Sequence, residues 1–306
     1  MNNSLSITIS KLKLKNPTIL ASGILGVTRS SLANIIKSGA GACVIKSISK
    51  EKRTGHNAPN MHPIEGGFMN AVGYSNPGLK EAKKEFKDLK NIGAPIFASI
   101  IGTTAQDFAY MAENFLSNEF SAVEVVLSCP HTPGFGTLAG QGTPKATEKI
   151  VNKVRQKTKL PLFVKLSSQS EPISEVAKAA ETAGADGITA INTMGPGMYI
   201  DIKTHKPILN FGIGGVSGPA LRPIAVRCVA DIYKSVKIPI IGCGGIQSGR
   251  DAIEMMMAGA RAVQVGTGVY YRGRTVFKKI TDEIKQYMKE EKINNLKEII
   301  GAVHKQ

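Results

Sequence analysis

Tryptophan is absent from these 306 residues, and cysteine occurs only four times. The cysteines stand at 43, 129, 228 and 243, and no two form a CxxC pair. That spacing supports neither a zinc site nor an iron–sulfur cluster within the chain. Nor do four cysteines make a disulfide scaffold, so a reducing compartment fits. No apolar run reaches the length of about 18 residues that a membrane-spanning helix needs. The N-terminal MNNSLSITIS is polar and alternating, without the basic-then-apolar order of a signal peptide. The expectation is a cytoplasmic protein with no membrane contact. No GxxxxGK[ST] occurs, and GIGGVSG (212–218) fails the GxGxxG spacing, so neither a P-loop nor a Rossmann nicotinamide site is supported.

Negative charge is also scarce. Against 39 lysines and arginines there are 23 acidic residues, a net charge of +16. A basic balance raises nucleic-acid binding as a reading. The lysines, however, are spread over amphipathic stretches such as LKEAKKEFKDLK (79–90) and TVFKKITDEIKQYMKEEK (275–292), which read as solvated helix faces. Without clustered aromatics there is nothing on which bases would stack. The charge is better matched to an anionic substrate or an acidic partner subunit, with no nucleic acid.

What the chain has in quantity is alternation. Eight short apolar runs recur: TILAS (18–22), ACVIKS (42–47), PIFASI (95–100), AVEVVLS (122–128), PLFVKLS (161–167), GITAINT (187–193), PIIGCGG (239–245) and AVQVGTG (262–268). Being apolar on both faces, they read as parallel strands covered by helices. Amphipathic segments follow at 29–39, 79–90, 104–118, 143–158, 171–184, 218–236, 248–259 and 275–291. Eight such units predict an α/β fold, a (β/α)8 TIM barrel with long βα loops over its C-terminal face, as a single domain over 1–306. A doubly wound open sheet is the structural alternative. Two connections, 48–78 and 194–217, are unusually long and read as functional loops.

The strand ends then name candidates. They are Ala21 and Ser22, Lys46 and Ser47, Cys129, Lys165, Asn192 and Thr193, Gly244 and Gly245, and Gly266 and Thr267. Loops after strands 7 and 8 of such barrels often offer backbone N–H groups to a phosphate, and GCGGIQSGRDA and GTGVYYRGR suit that role, with Gly218 as a third donor. A lysine is seldom buried without a partner. The one carboxylate within the eight runs is Glu124, so Lys46 and Lys165 are read as facing an anionic ligand. A lysine beside a flavin stabilises the charge gained on reduction. Cys43, Cys228 and Cys243 read as small packing residues. Cys129 differs, because it sits where a strand gives way to a Pro-Gly loop on the functional face. Free thiols ionise near pH ~8.5, close enough to neutrality for nucleophile or proton acceptor. No partner orients His131, so a general base is favoured over a cysteine nucleophile.

Taken together, NPTILASG, CVIKSIS, GGFMNAVGYSNPG, LSCPH, PLFVKLS, INTM, GGVSGPALRPIA, IPIIGCGGI and GARAVQVGTG resemble, in order, the motifs of the dihydroorotate dehydrogenase family of FMN-dependent barrels. The resemblance covers nearly the whole chain, and the partner-dependent soluble subclass is the nearer match. It implies FMN across the barrel top, its phosphate on Gly218, Gly244, Gly245, Gly266 and Thr267, and its ring on Ala21, Ser22, Lys46, Ser47 and Lys165. It implies substrate, dihydroorotate or orotate, on Lys46, Asn70, Val72, Gly73, Tyr74, Asn192 and Thr193. Cys129 would remove the C5 proton while C6 gives a hydride to the flavin. It further implies either a homodimer or a heterotetramer with an FAD/[2Fe–2S] electron-transfer subunit. Two positions depart from the family pattern: Val126 and His131 stand where asparagines are frequent, so at least one polar contact is lost or moved. SCPH followed by LAGQGTP also resembles the pyrimidine-reducing barrel of dihydropyrimidine dehydrogenases. A dihydropyrimidine oxidoreductase is therefore the first alternative, and a non-redox lyase or isomerase using Lys46 or Lys165 as a Schiff-base amine is the second.

Overall fold

The computed structural model of the chain describes residues 5–129, 132–169 and 172–305. Eight strands close into a barrel: β1 (Thr18–Leu20), β2 (Ala42–Val44), β3 (Ile96–Ile100), β4 (Ala122–Val126), β5 (Leu162–Leu166), β6 (Gly187–Ala190), β7 (Ile240–Cys243) and β8 (Ala260–Val265). Each pairs in parallel with its sequence neighbour, and β8 returns to β1 through Val263↔Thr18 and Val265↔Leu20. The open-sheet alternative is thereby excluded. The strands are almost wholly buried because helices cover their outer faces while side chains fill the centre.

The covering helices are α1 (Arg29–Lys37), α2 (Gly78–Glu85), α3 (Ala105–Phe115), α4 (Pro144–Arg155), α5 (Ile173–Thr182), α6 (Arg222–Tyr233) and α7 (Gly249–Met257). After β8 come the short α8 (Gly268–Arg272) and the long α9 (Val276–Glu290). Local chemistry fixes several starts. Thr104 with Asp107 and Ser248 with Asp251 form capping boxes, and Thr143 caps α4 ahead of Pro144. Each such cap contributes about 1 kcal/mol. Among the described residues no helix is long and apolar enough to cross a membrane.

Three expectations need correction. The helix expected over 79–90 stops at Glu85: Phe86 turns into the core, Asp88 adopts a left-handed φ of 55°, and a 3-10 turn (Leu89–Ile92) follows. The helix expected from 218 begins as a 3-10 turn (Pro219–Leu221) before α6. The two long connections are more than loops. Strands Met61–Ile64 and Gly67–Asn70 from the first join Met194–Gly197 and Gly214–Ser217 from the second in one four-stranded antiparallel sheet. Gly215, Val216 and Ser217 pair with Asn70, Met69 and Phe68. Each connection supplies one antiparallel pair, and the pairing that joins the two is invisible to local pattern. Met69, Ala71 and Leu209 form this sheet's own small apolar cluster, separate from the barrel core.

Candidate active site

The sheet formed by the long connections walls a cleft of about 340 Å³ at the C-terminal ends of the barrel strands. Every candidate named from the sequence lines it: Ala21, Ser22, Lys46, Ser47, Asn70, Val72, Gly73, Tyr74, Cys129, Lys165, Asn192, Thr193, Gly218, Gly244, Gly245, Gly266 and Thr267. Gln264, Thr132, Tyr270 and Cys243 also line it and were not singled out as ligand-facing. Pro130 and His131 lie outside the described residues.

One end of the cleft is built of backbone. Among the described residues, the N–H groups of Gly244, Gly245, Gly266 and Thr267 take no part in the hydrogen bonds that tie loops and turns together. They are free to meet a phosphate. The glycines have different reasons to be there. A side chain at Gly245, where φ is +70°, would meet the Arg222 Cβ at 2.7 Å, so close packing on α6 requires this glycine. A Cβ at Gly266 would meet nothing nearer than the Ala21 Cβ at 3.7 Å. The space it leaves belongs to the cleft.

Three hydroxyls meet near the ends of β1, β2 and β3. Ser47 Oγ lies 3.0 Å from Ser22 Oγ and 2.9 Å from Ser99 Oγ. Beside them the main chain of Lys46 donates to Gly26 O at 2.7 Å, but its ammonium has no hydrogen-bonding or ion-pair partner among the described residues. Burial pulls its pKa below the ordinary lysine value, and the nearby Cys129 opposes that fall. An ammonium held this way is a ready site for an anion.

Lys165 requires a correction. It was expected to face a ligand rather than a carboxylate, yet Glu124 Oε1 lies 3.5 Å from its Nζ, which also donates to Gln264 Oε1 at 2.9 Å. Gln264 Nε2 and the Thr189 hydroxyl both donate to Glu124 Oε2, at 2.6 and 2.9 Å. All four residues are at most 4% exposed. Burial is the largest influence and works against the Lys165 charge, but Glu124, with Cys243, tips the balance, and the pKa stands above the ordinary lysine value. The sequence offers Glu124 as the one carboxylate within the strand runs, but Val126, not Glu124, is the register partner of Lys165. Strand stagger and the length of the lysine side chain nevertheless bring the two charges together inside the barrel.

Cys129 is 4% exposed and packs with Ile101, Val126 and Phe135, with the Tyr74 ring alongside. Burial, and then Cys129, push the Tyr74 phenol upward, so it stays neutral. Burial also raises Cys228 to about 11, and raises Cys43 and Cys243, in keeping with packing roles for these three. The loop after Cys129 is fastened by Gln141, which the sequence reading missed. Its Oε1 accepts from Gly136 N at 2.9 Å, and its Nε2 donates to Gly102 O at 2.9 Å. Asn76 does the same for the facing loop. Its Oδ1 accepts from Gly78 N, while its Nδ2 donates to Ser49 Oγ and Tyr74 O, both at 2.8 Å. Above the barrel end Asn192 donates to Ser128 O at 3.1 Å and accepts from Thr193 N at 2.9 Å. Val126 presents only carbon to the cleft, so the polar contact it cannot make has no source at that position.

Comparison with known proteins matches residues 4–288 to the family model described as dihydroorotate dehydrogenase. Curated relatives named dihydroorotate dehydrogenase B (NAD(+)), catalytic subunit, include one from Methanocaldococcus jannaschii, 44% identical over 304 residues and covering 98% of each chain. Another, from Methanothermobacter thermautotrophicus, is 43% identical over 301 residues, again 98% of each. A solved structure, DHODH from Eimeria tenella in complex with ferulenol, superposes with a TM-score of 0.83 over 100% of this chain and 90% of that one. At 23% identity it shows a shared fold.

Proposed function

The chain belongs to the dihydroorotate dehydrogenase family, oxidoreductases of pyrimidine biosynthesis, and from that premise we propose that it oxidises (S)-dihydroorotate to orotate in this cleft with FMN as hydride acceptor. The observation that carries the reading is the unpaired Lys46 ammonium beside Cys129, in a cleft whose other end offers free backbone N–H groups.

The residues fit FMN. Gly218, Gly244, Gly245, Gly266 and Thr267 would hold its phosphate, and Ala21, Ser22, Lys46, Ser47 and Lys165 its ring. When bound, FMN supplies the acceptor for the hydride leaving C6 of the substrate. Cys129 Sγ takes the C5 proton, so the two atoms lost from the substrate have separate destinations. Lys46 holds the substrate carboxylate, and Asn70, Val72, Gly73, Tyr74, Asn192 and Thr193 hold and orient the ring. Tyr74, Phe135 and Ile101 keep water from the thiol. A partner subunit carrying FAD and a [2Fe–2S] cluster would supply the route for electrons to NAD. Support for this comes from the relatives, which are named catalytic subunits of an NAD(+) enzyme. The catalytic chain itself is proposed to be a homodimer, within a heterotetramer when that subunit is present.

The test is the visible spectrum of the purified chain, followed by anaerobic addition of dihydroorotate and, separately, dihydrouracil. A yellow protein bleached by dihydroorotate alone is the expected result. Bleaching by dihydrouracil alone would assign the cleft to a different pyrimidine, with Val126 and His131 as its marks. A colourless chain that FMN does not reconstitute would overturn the reading and revive the Schiff-base alternative.

A further inference from the structure

We infer that Glu124, which does not reach the cleft, is a positioning residue that acts through Lys165 to set how strongly this site favours reduced over oxidised flavin. The inference rests on FMN being the ligand of the cleft.

Four strands contribute to the arrangement: Glu124 from β4, Lys165 from β5, Thr189 from β6 and Gln264 from β8. Lys165 and Gln264 line the cleft, whereas Glu124 and Thr189 do not. Glu124 therefore sits one layer beneath the floor, 0% exposed. Its hydrogen bonds fix a single orientation of the network. The carboxylate accepts through Oε2 from the Gln264 amide and the Thr189 hydroxyl. With its NH₂ committed downward, the Gln264 amide must turn its oxygen to the Lys165 ammonium. Glu124 Oε1 has no hydrogen bond of its own and faces Lys165 at 3.5 Å.

An ammonium carries three donors. Gln264 takes one, Glu124 Oε1 faces the ammonium as an ion pair at 3.5 Å, and Lys165 keeps donor capacity on the cleft side, which it lines. The flavin ring gains negative charge on reduction. A lysine held charged and fixed in the cleft lining would stabilise that charge without reorganising. Charge is the vulnerable part, because burial alone would strip the proton from so enclosed an amine. The other titratable group facing Lys165 is Cys243, from β7, and burial keeps that thiol protonated. Glu124 is thus the group that keeps Lys165 cationic at neutral pH. A packing role alone would not require a carboxylate at the barrel centre, where an apolar side chain of the same volume is often no less stabilising.

The experiment is a double-mutant cycle on the FMN-loaded protein, with the flavin midpoint potential at pH 8 as readout. Glu124→Gln keeps the shape and both Oε2-side partners but removes the charge. It is expected to lower the preference for reduced flavin at least tenfold, about 30 mV for a two-electron couple. The loss should shrink as the pH is lowered and Lys165 regains its proton. In a Lys165→Met background the same substitution is expected to leave the potential unchanged, because the residue through which Glu124 acts is gone. That double variant holds no unpaired buried charge, so it remains measurable even if Glu124→Gln alone folds poorly. Glu124→Asp, which keeps the charge, should restore most of the loss. A Glu124→Gln potential equal to or above that of the unmodified chain overturns the inference, as does an effect that persists in the Lys165→Met background. A wild-type chain that binds no FMN overturns the function proposed above and this inference with it, whereas a flavin-loaded chain with an unresponsive potential overturns this inference alone.

Discussion

Replacing Lys46 by methionine separates a residue kept for a ligand from one kept for the fold, because the two roles predict opposite signs. The methionine fills about the same volume without the charge. In the ligand-free protein Lys46 has no anionic partner, and burial holds its pKa below the ordinary value of 10.5. A lysine depressed on folding is protonated more readily in the unfolded chain. Below the unfolded pKa it therefore costs stability; the cost grows as pH falls from the unfolded toward the folded value and is constant below it. Lys46→Met should leave the apo melting temperature unchanged or raise it at neutral pH. Ligand binding should move the other way. A hydrogen bond to a charged group contributes about 1.5–3 kcal/mol, so orotate affinity should fall roughly 10- to 150-fold. Orotate binding by the unmodified chain should also weaken as the pH rises toward 10.5 and the amine loses its proton. Calorimetric titration with orotate and thermal melts of the same two proteins would measure both signs. A variant that melts lower yet binds orotate with unchanged affinity would refute the reasoning and make Lys46 a structural residue.

Three other substitutions test the remaining parts of the cleft. Cys129→Ala should retain FMN and its yellow colour but lose most turnover with dihydroorotate, and normal turnover would remove Cys129 as the base. Gly266→Val places a side chain in open cleft space, its Cβ 3.7 Å from the Ala21 Cβ; urea unfolding should change little while FMN retention is lost. Gln141→Leu strands the Gly136 N–H and the Gly102 carbonyl, both now bonded to a 3%-exposed side chain. At about 1–3 kcal/mol per unsatisfied buried group, urea unfolding should show a clear loss, with turnover falling because the Cys129 loop loosens.

The barrel was legible because its signal is local. Each βα unit carries an apolar run, an amphipathic segment and cap residues such as Ser248 and Asp251, all within a few tens of residues. Eight units in order left little choice of architecture, and strand ends of such a barrel share one face, so Lys46, Cys129 and Thr267 could be grouped before any contact was known. Three things were not legible. Glu124 and Lys165 are on adjacent strands but not in register, and their meeting depends on barrel shear and on Gln264, 99 residues beyond the lysine. The wall of the cleft needs Asn70 to pair with Gly215, 145 positions away, and neither connection announces the other. Gln141 and Asn76 resemble ordinary loop residues until their amides are seen to bind main-chain groups of facing segments. Sequence alone determined the repeating units, their number and the face on which chemistry gathers, because periodicity and turn chemistry act between near neighbours. Tertiary structure alone decided which buried charges pair and how the long connections close over the site, because those contacts exist only after the barrel has curved and brought distant strands within hydrogen-bonding reach.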